Sequence, residues 1–365
     1  MAKAAVRTLV AFIVLLAVLT GCSGKPQPTL PPRSGSVWVA DEGRDSLTVI
    51  DAATKTVTIT LNGIKSPHNV QVGRGGAVVY AVSSAGVVVA IDPATYRVTA
   101  TAPTGSQPAH VIEAPNGKVY VTNSGDGTVS VYQAPGLTPA GWITLDGMPH
   151  GLRAAAGGSL IVVANTMDGA LDLIDPATDT DVGAVAVGSG PAQVAVSTDG
   201  RYAYTGISDP PSVVKVDLAQ RKVVGSAPVP NAPVQLYLTP DENEVVSADQ
   251  GRKDAQGHTL SVIDTKAMTT RGTVITGAGP HGVVIDASGN WAWVTNTYDN
   301  TVTAVDLSTL SAMAPVPVGT QPSGISFSPL APASAPANVT TLAIPTPSTA
   351  PRKGTEPAPH SDHGH

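Results

Sequence analysis

Five of the eight histidines occupy comparable places in a repeating sequence pattern. His68, His150 and His281 each directly follow a proline, and His110 is the second residue after one. His258 lies in a longer loop between two predicted strands. Neutral imidazoles that converge from separate strands are the ligands that Cu, Zn and Ni sites require. These five residues are therefore candidate ligands of a transition-metal ion, with Cu or Zn as the expected metal.

The remaining three histidines stand at the end of the chain. His360, His363 and His365 belong to the final segment Pro-His-Ser-Asp-His-Gly-His. A short tract rich in histidine can capture a metal ion. The alternative is a solvated tail without a ligand, and the pattern alone does not choose between the two.

Polar side chains follow the same prolines and could orient a small ligand. They are Asn69, Arg153, Gln193 and Gln235. The predicted loops between strands add carboxylates, which would favour a cation. These are Asp41, Asp45, Asp126, Asp168, Asp209, Asp254 and Asp299. The alternative for the four polar side chains is that water in a channel satisfies them.

The elements that must position these residues follow from an internal repeat. One proline starts each unit, and successive prolines are 41, 41, 42, 42, 47 and 42 residues apart. An apolar residue three positions after each proline opens a short strand, and three further alternating strands follow. The prolines are Pro67, Pro108, Pro149, Pro191, Pro233, Pro280 and Pro322. Four strands per repeat without helical periodicity indicate the blades of a β-propeller.

The two ends of the repeat complete each other. The first unit, residues 35–62, lacks its first strand, whereas the segment 321–327 is a first strand without a following unit. We therefore predict an all-β, seven-bladed propeller of four-stranded antiparallel blades, closed by the C-terminal strand in blade one. Such closure leaves no long free edge.

The third strand of most units ends in an aspartate that precedes turn residues. These are Asp51, Asp92, Asp175, Asp217, Asp264 and Asp306. A carboxylate at this place accepts backbone N–H groups two residues further on. We interpret these aspartates as turn caps rather than as catalytic groups.

Ligands of propellers usually lie at the mouth of the central channel, and the five repeat histidines all map to one face of the predicted ring. The histidine after the proline also fits a purely structural turn, since Ala192, Val234 and Ser323 stand there in other blades. Blades two, three and four lie side by side, whereas blade seven was placed across the ring. One ion is therefore not expected to bind His281 together with the other three.

Two units carry motifs that identify a family resemblance. The segment Tyr120-Val121-Thr122-Asn123 and the similar Trp293-Val294-Thr295-Asn296 resemble the YVTN-repeat family of bacterial envelope and archaeal surface-layer propellers. The resemblance covers nearly all of the repeat region and implies a seven-bladed propeller. It implies no single role, because members and related propellers take part in adhesion, ligand binding, lactone hydrolysis or haem d1 binding.

The chain ends predict export and anchoring. Residues 1–21 combine Lys3 and Arg7 with a short apolar run, which is typical of a signal peptide. The following Leu-Thr-Gly-Cys resembles a bacterial lipobox, so Cys22, the single cysteine, is expected to carry lipid, including palmitate. Cleavage that leaves a free thiol is the alternative. Residues 22–34 read as a proline-rich linker, 35–328 as the propeller and 329–365 as a disordered tail rich in Pro, Ala and Thr.

The net charge of the chain and the absence of several sequence motifs reduce the number of functions to consider. A net charge of −6 argues against nucleic acid as a partner. The sequence has no Cys-x-x-Cys-His motif for covalent haem and no Gly-x-Ser-x-Gly motif. We expect a monomeric ring on the cell membrane, facing the periplasm or the exterior, that binds an envelope protein, a small solute or a metal ion as a non-catalytic scaffold. The alternative is a metal-assisted hydrolase similar to lactonases.

Overall fold

The structure is a computed structural model that describes residues 34–335 and 337–347. These residues form seven antiparallel β-sheets arranged as blades in a ring, which confirms the predicted fold class. Residues 1–33, which include the signal segment and Cys22, lie outside the described residues, as do His360, His363 and His365.

The strands follow one another in chain order around the ring. Blade one contains β1 (Ser36–Asp41), β2 (Ser46–Asp51) and β3 (Thr56–Asn62), and blade two contains β4 (Pro67–Val72), β5 (Val79–Ser83), β6 (Val87–Asp92) and β7 (Arg97–Pro103). Blade three contains β8 (Pro108–Glu113), β9 (Lys118–Asn123), β10 (Thr128–Gln133) and β11 (Thr138–Thr144). Blade four contains β12 (Pro149–Ala154), β13 (Ile161–Asn165), β14 (Ala170–Asp175) and β15 (Thr180–Ala186).

The second half of the ring repeats this arrangement. Blade five contains β16 (Val194–Val196), β17 (Tyr202–Ser208), β18 (Pro211–Asp217) and β19 (Lys222–Pro228), and blade six contains β20 (Leu236–Leu238), β21 (Glu244–Arg252), β22 (Ala255–Asp264) and β23 (Thr269–Ile275). Blade seven contains β24 (Pro280–Ile285), β25 (Trp291–Asn296), β26 (Thr301–Asp306), β27 (Ser311–Ala312) and β28 (Val316–Pro317). The chain then returns to blade one with β29 (Pro322–Ser328) and β30 (Val339–Thr341), and short 3₁₀ helices span Glu42–Arg44 and Arg74–Gly76.

The hydrophobic core lies between the blades. The described residues form seven buried apolar clusters, one for each pair of neighbouring blades. Trp38 of blade one packs with Val70 and Val89 of blade two, and Trp293 of blade seven packs with Val39 of blade one. Each blade therefore buries both faces of its sheet, and the stability of each blade depends on its neighbours.

The ring closes as the two ends of the repeat predict. Strand β29 pairs with β1 in antiparallel register, with Val37 opposite Phe327 and Val39 opposite Ile325. The C-terminal strand is thus the innermost strand of the first blade. This pairing covers the edge of β1 that would otherwise be unpaired and completes the four antiparallel strands of the blade.

The described part of the predicted tail differs from the disordered segment expected for residues 329–365. Strand β30 pairs in parallel with β3, the N–H of Leu342 donates to the carbonyl of Asn62 over 2.8 Å, and Leu342 is buried. The hydroxyl of Tyr96 donates to the carbonyl of Ala333 over 3.0 Å. Apolar and β-branched residues at 339–344 supply the strand, and the proline-rich average of the whole segment conceals them.

The predicted turn caps are present. The carboxylate of Asp51 accepts the N–H groups of Ala53 and Thr54 over 2.8 and 3.0 Å. In five of the other blades the aspartate that ends the third strand accepts a backbone N–H group in the same way, namely Asp92, Asp175, Asp217, Asp264 and Asp306, whereas blade three has Gln133 there. In the part of the chain that the structure describes, no helix is long and apolar enough to cross a membrane.

Candidate metal centre

Four histidines come together at the mouth of the central channel, and we refer to His68, His110, His150 and His281 as the histidine cluster. The ring centroids of His68 and His110 are 5.5 Å apart, and those of His68 and His150 are 5.1 Å apart. The rings of His110 and His150 are separated by 4.9 Å. Blades two, three, four and seven therefore deliver their imidazoles to one place.

The local fold explains why these side chains converge. Each lies at the start of the innermost strand of its blade, one residue after the repeat proline for His68, His150 and His281 and two residues after it for His110. In all four strands, the register with the second strand shifts between the proline and the third residue after it. A bulge of this kind interrupts the ladder and redirects side chains. The histidines thus occupy the irregular start of the strand at the channel mouth.

The expectation that blade seven is too distant for its histidine to join the others is wrong. The ring of His281 lies 5.7 Å from that of His68. Blade one separates the two blades, but it presents only Ser323 and Gly324 at the equivalent positions. The Ser323 hydroxyl donates to the carbonyl of His68 over 2.8 Å, and a Cβ on Gly324 would lie 2.6 Å from the Cα of Asn69. Small residues let the strands approach closely here.

Hydrogen bonds fix the orientation of two imidazoles. Nδ1 of His150 donates to the carbonyl of Ala192 over 2.8 Å, and Nδ1 of His68 is 3.1 Å from a carboxylate oxygen of Glu42. A proton held on Nδ1 leaves Nε2 with a free lone pair. Metal-binding histidines characteristically use carboxylates and backbone carbonyls in this way.

The ring nitrogens that could bind a metal ion are unsatisfied. Nε2 of His68, Nε2 of His110 and Nδ1 of His281 are buried without a hydrogen-bond partner among the described residues. One nitrogen each from His68, His110 and His150 forms a group in which all atoms lie within 4.8 Å of one another. Three imidazole nitrogens at this spacing can surround one small ion, and the ring of His281 lies beside that of His68.

Burial favours the neutral form of three histidines, because it lowers the pKa values of His110, His150 and His281. Desolvation, followed by the positive charge of neighbouring histidines, lowers the pKa of His150 to about 3 and that of His281 to about 4. The same causes bring the pKa of His110 well below its usual range. Burial on its own would raise the pKa of Glu42, but the hydrogen bond and charge of His68 outweigh it, so this pKa is lowered. At neutral pH the lone pairs of His110, His150 and His281 are available to a metal ion.

The other predicted ligand of the folded domain stands apart from the cluster. His258 is exposed on β22, and its nitrogens do not belong to the close group of three. Five of the seven predicted loop aspartates form hydrogen bonds within the fold: Asp41, Asp45, Asp126, Asp168 and Asp299. Asp209 and Asp254 are exposed, and neither belongs to the close group of three histidines.

The predicted polar residues divide between the mouth and deeper parts of the channel. Nε2 of Gln193 lies 3.3 Å from Nδ1 of His110, which places this amide against the cluster. The amide oxygen of Asn69 accepts the N–H of Val111 over 3.3 Å, and Nε2 of Gln235 is buried without a described partner. Arg153 lines two cavities of the channel instead.

Sequence reasoning missed Glu42, the carboxylate that contacts the cluster. It follows Asp41 in the short 3₁₀ helix between β1 and β2, in the same class of loop as the predicted aspartates. Its position on the histidine-bearing face was the available signal. Nothing in its immediate sequence distinguishes it from the neighbouring acidic residues.

Comparisons with known proteins agree on the architecture. No family model matches the chain, and no curated protein matches it. A functionally unknown protein from Desulfotomaculum acetoxidans has 12% identity and a TM-score of 0.70, and the match covers 81% of this chain and 99% of that one. A putative 6-phosphogluconolactonase from Bacteroides fragilis has 16% identity and a TM-score of 0.67, with 82% and 99% covered.

A third solved structure is similar to the same degree. The dihydro-haem d1 dehydrogenase NirN, in complex with DHE, has 14% identity and a TM-score of 0.61, with 83% of this chain and 77% of that chain covered. At these identities the likeness extends to the fold alone. The chain is therefore a seven-bladed β-propeller, and a cluster of four histidines at the channel mouth distinguishes its candidate site.

Proposed function

We propose that this propeller is a non-catalytic binding protein that holds one transition-metal ion, Zn(II) or Cu, in the histidine cluster. The observation that carries the proposal is the pair of buried Nε2 atoms of His68 and His110, which have no hydrogen-bond partner in the described chain. A buried polar atom left unpaired costs about 1–3 kcal/mol. A metal ion would satisfy both atoms at once.

The donor set supports this choice of metal. Imidazole nitrogens suit Zn, Cu and Ni, whereas Ca and Mg prefer oxygen ligands. His68, His110 and His150 would supply three nitrogens, and His281 or water would complete a four-coordinate site. Glu42 and the carbonyl of Ala192 would orient two of the ligands through Nδ1.

Metal-assisted hydrolysis has less support. A hydrolase of this kind needs a carboxylate or imidazole free to act as a base beside the metal-bound water. Among the described residues, Glu42 is the carboxylate that contacts the cluster, and its Oε2 lies 3.1 Å from Nδ1 of His68. It is therefore used to orient a ligand, and a binding role accounts for it more simply.

We further propose that the propeller belongs to the YVTN-repeat type and is exported and anchored by lipid on Cys22. The Leu-Thr-Gly-Cys segment and the apolar run before it support anchoring. The metal site would then face the periplasm or the cell exterior on a monomeric ring, with small solutes or envelope proteins as partners and nucleic acid excluded by charge. Labelled palmitate should enter the wild-type protein and not Cys22→Ala; equal labelling would contradict anchoring through this residue.

Elemental analysis tests metal binding. The full chain is loaded with Zn(II), dialysed and compared with His68→Ala/His150→Ala, with His258→Ala and with a variant in which His360, His363 and His365 are all alanine. We expect about one tightly held ion in the wild type, in the His258 variant and in the tail variant, and none in the double variant. Retention of the ion by a double variant with wild-type circular dichroism would refute the proposal.

A further inference from the structure

A second set of channel residues lies deeper than the histidine cluster. In five blades the fourth residue after the repeat proline lines this second level, and Arg153 is the charged member of the set. Two cavities of about 200 and 160 Å³ meet at this level. Arg153, Ala154 and Tyr237 line both cavities, Ala195 lines the larger and Gln71 the smaller.

Arg153 is partly buried and has few protein partners. Its Nη1 donates to the carbonyl of Leu152 over 3.0 Å, and its guanidinium carbon lies 5.8 Å from the ring centroid of Tyr237. No carboxylate oxygen of the described residues lies within 4.0 Å of its nitrogens. A guanidinium carries five N–H donors, so most of its donors find no protein acceptor here.

The carboxylates that line the cavities are committed to other groups. An oxygen of Glu113 accepts the N–H of Arg74 over 3.1 Å, and an oxygen of Glu242 accepts the N–H of Thr198. Neither glutamate forms an ion pair with Arg153. Partial removal of a charge from water without a counter-charge is unfavourable. The channel thus holds a cation that the described part of the fold does not neutralise.

We propose that Arg153 binds a small oxyanion, a carboxylate or a phosphate group, in the two cavities beside it. The planar guanidinium matches the geometry of both groups through paired N–H donors. The cavity volumes suit a ligand of a few heavy atoms rather than a large cofactor. Tyr237 lines the same space, and its hydroxyl makes no hydrogen bond with a described protein group, so it offers a further donor.

This site is independent of the proposed metal centre. Arg153 makes its contacts through the guanidinium group, whereas the cluster uses imidazoles at the mouth. An oxyanion should therefore bind to metal-free protein. A bound metal ion would add positive charge to the same channel and strengthen the binding.

The test is a titration of inorganic phosphate, and separately of acetate, into the metal-free full chain by calorimetry. Arg153→Gln should weaken the binding of the tighter probe at least ~10-fold, which corresponds to the loss of one charge-assisted hydrogen bond or more. Arg153→Lys keeps the positive charge but lacks the paired N–H donors of the guanidinium group. Its affinity for the probe should lie between those of the wild type and Arg153→Gln. Arg221→Gln, which removes an exposed arginine, should bind as the wild type does.

Thermal unfolding distinguishes a variant that has lost phosphate binding from one that fails to fold. Phosphate should raise the melting temperature of the wild type and of Arg221→Gln, and leave that of Arg153→Gln unchanged. Without phosphate, the melting temperature of Arg153→Gln should be no lower than that of the wild type, because the substitution removes an unpaired charge. Equal binding by wild type and Arg153→Gln, or no binding of either probe to the wild type, would overturn the proposal. Zn(II) uptake by Arg153→Gln should remain normal, which separates this site from the metal centre.

Discussion

An oxygen of the Glu42 carboxylate lies 3.1 Å from Nδ1 of His68, and this contact links the first two blades at the channel mouth. Glu42 belongs to the 3₁₀ helix between β1 and β2, and His68 begins the innermost strand of blade two. The carboxylate holds the proton on Nδ1 and so directs the Nε2 lone pair toward the other imidazoles. Glu42 thus acts as a positioning residue for a metal ligand.

Replacement of Glu42 should weaken metal binding without removing a ligand. We expect Glu42→Ala to lower the affinity for Zn(II) about 10- to 100-fold, the usual effect of losing such a partner. Glu42→Gln should lose less affinity for Zn(II), because its amide oxygen can still accept a hydrogen bond from Nδ1–H of His68. Competition with a chromophoric chelator measures both values. Wild-type affinity in Glu42→Ala would show that the contact does not orient His68.

The metal-free protein should lose stability as the cluster is acidified. Burial lowers the pKa of His150 to about 3, whereas the unfolded value is about 6.5. The unfolded chain therefore binds more protons below pH 6.5, and stability falls as pH decreases toward 3. We expect this residue to lower the free energy of unfolding by about 2–3 kcal/mol between pH 7 and 4.5. Urea unfolding in chelator should show a smaller loss between pH 7 and 4.5 for His150→Asn; an identical loss would contradict the assignment.

The pH dependence of stability that comes from Asp249 should have the opposite sign to that from His150. Burial raises its pKa to about 7, despite hydrogen bonds from the hydroxyls of Ser261, Ser247 and Thr259. A raised folded-state pKa means that its contribution is complete below pH 4 and is lost as pH rises through 7. In blade seven Asn296 occupies the equivalent place and donates to two threonine hydroxyls.

Asp249→Asn should therefore stabilise the protein at pH 8 by about 1 kcal/mol or more. The gain should shrink toward pH 5, because the wild-type carboxyl is then protonated in the folded state. Denaturant unfolding at both pH values checks this, with the exposed Asp254→Asn as a control that should change little. A destabilised Asp249→Asn at pH 8 would mean that the carboxylate is required at this place.

Strand β30 should contribute to the stability of blade one. Leu342 is 6% exposed and packs in the cluster that contains Trp38, so Leu342→Ala should lower the free energy of unfolding by about 2–3 kcal/mol. Val339 begins the strand that ends just before Leu342, but its side chain is 54% exposed, so Val339→Ala should cost less than about 0.5 kcal/mol. Equal effects of the two substitutions in urea unfolding would show that the strand does not pack as described.

The sequence was sufficient to predict the blades because prolines recur at a nearly constant interval and each marks the start of a repeat. The orphan strand after Pro322 also determined the closure, since a propeller must pair its last inner strand with the first blade. The strand around Leu342 was hidden because its few apolar residues lie within a proline-rich segment. Local pattern, rather than average composition, identifies such a strand.

The site was only partly predictable for a geometrical reason. Repeat position placed the four histidines on one face, but it carries no information on the width of the channel. That width depends on close strand approach at Gly324 and Ser323, which brings His281 to His68. Glu42 was missed because contact across two blades is a tertiary property. Sequence spacing alone does not show it.

X-ray absorption spectroscopy of the Zn(II)-loaded protein tests the central claim most directly. The sample is the full chain with His360, His363 and His365 replaced by alanine, so that the tail cannot contribute ligands. We predict a first shell of four light atoms at about 2.0–2.1 Å, in which three or four are imidazole nitrogens, and its loss in the same protein carrying His68→Ala/His150→Ala. A shell dominated by oxygen, or an imidazole signal unchanged by the double replacement, would contradict a metal centre in the histidine cluster.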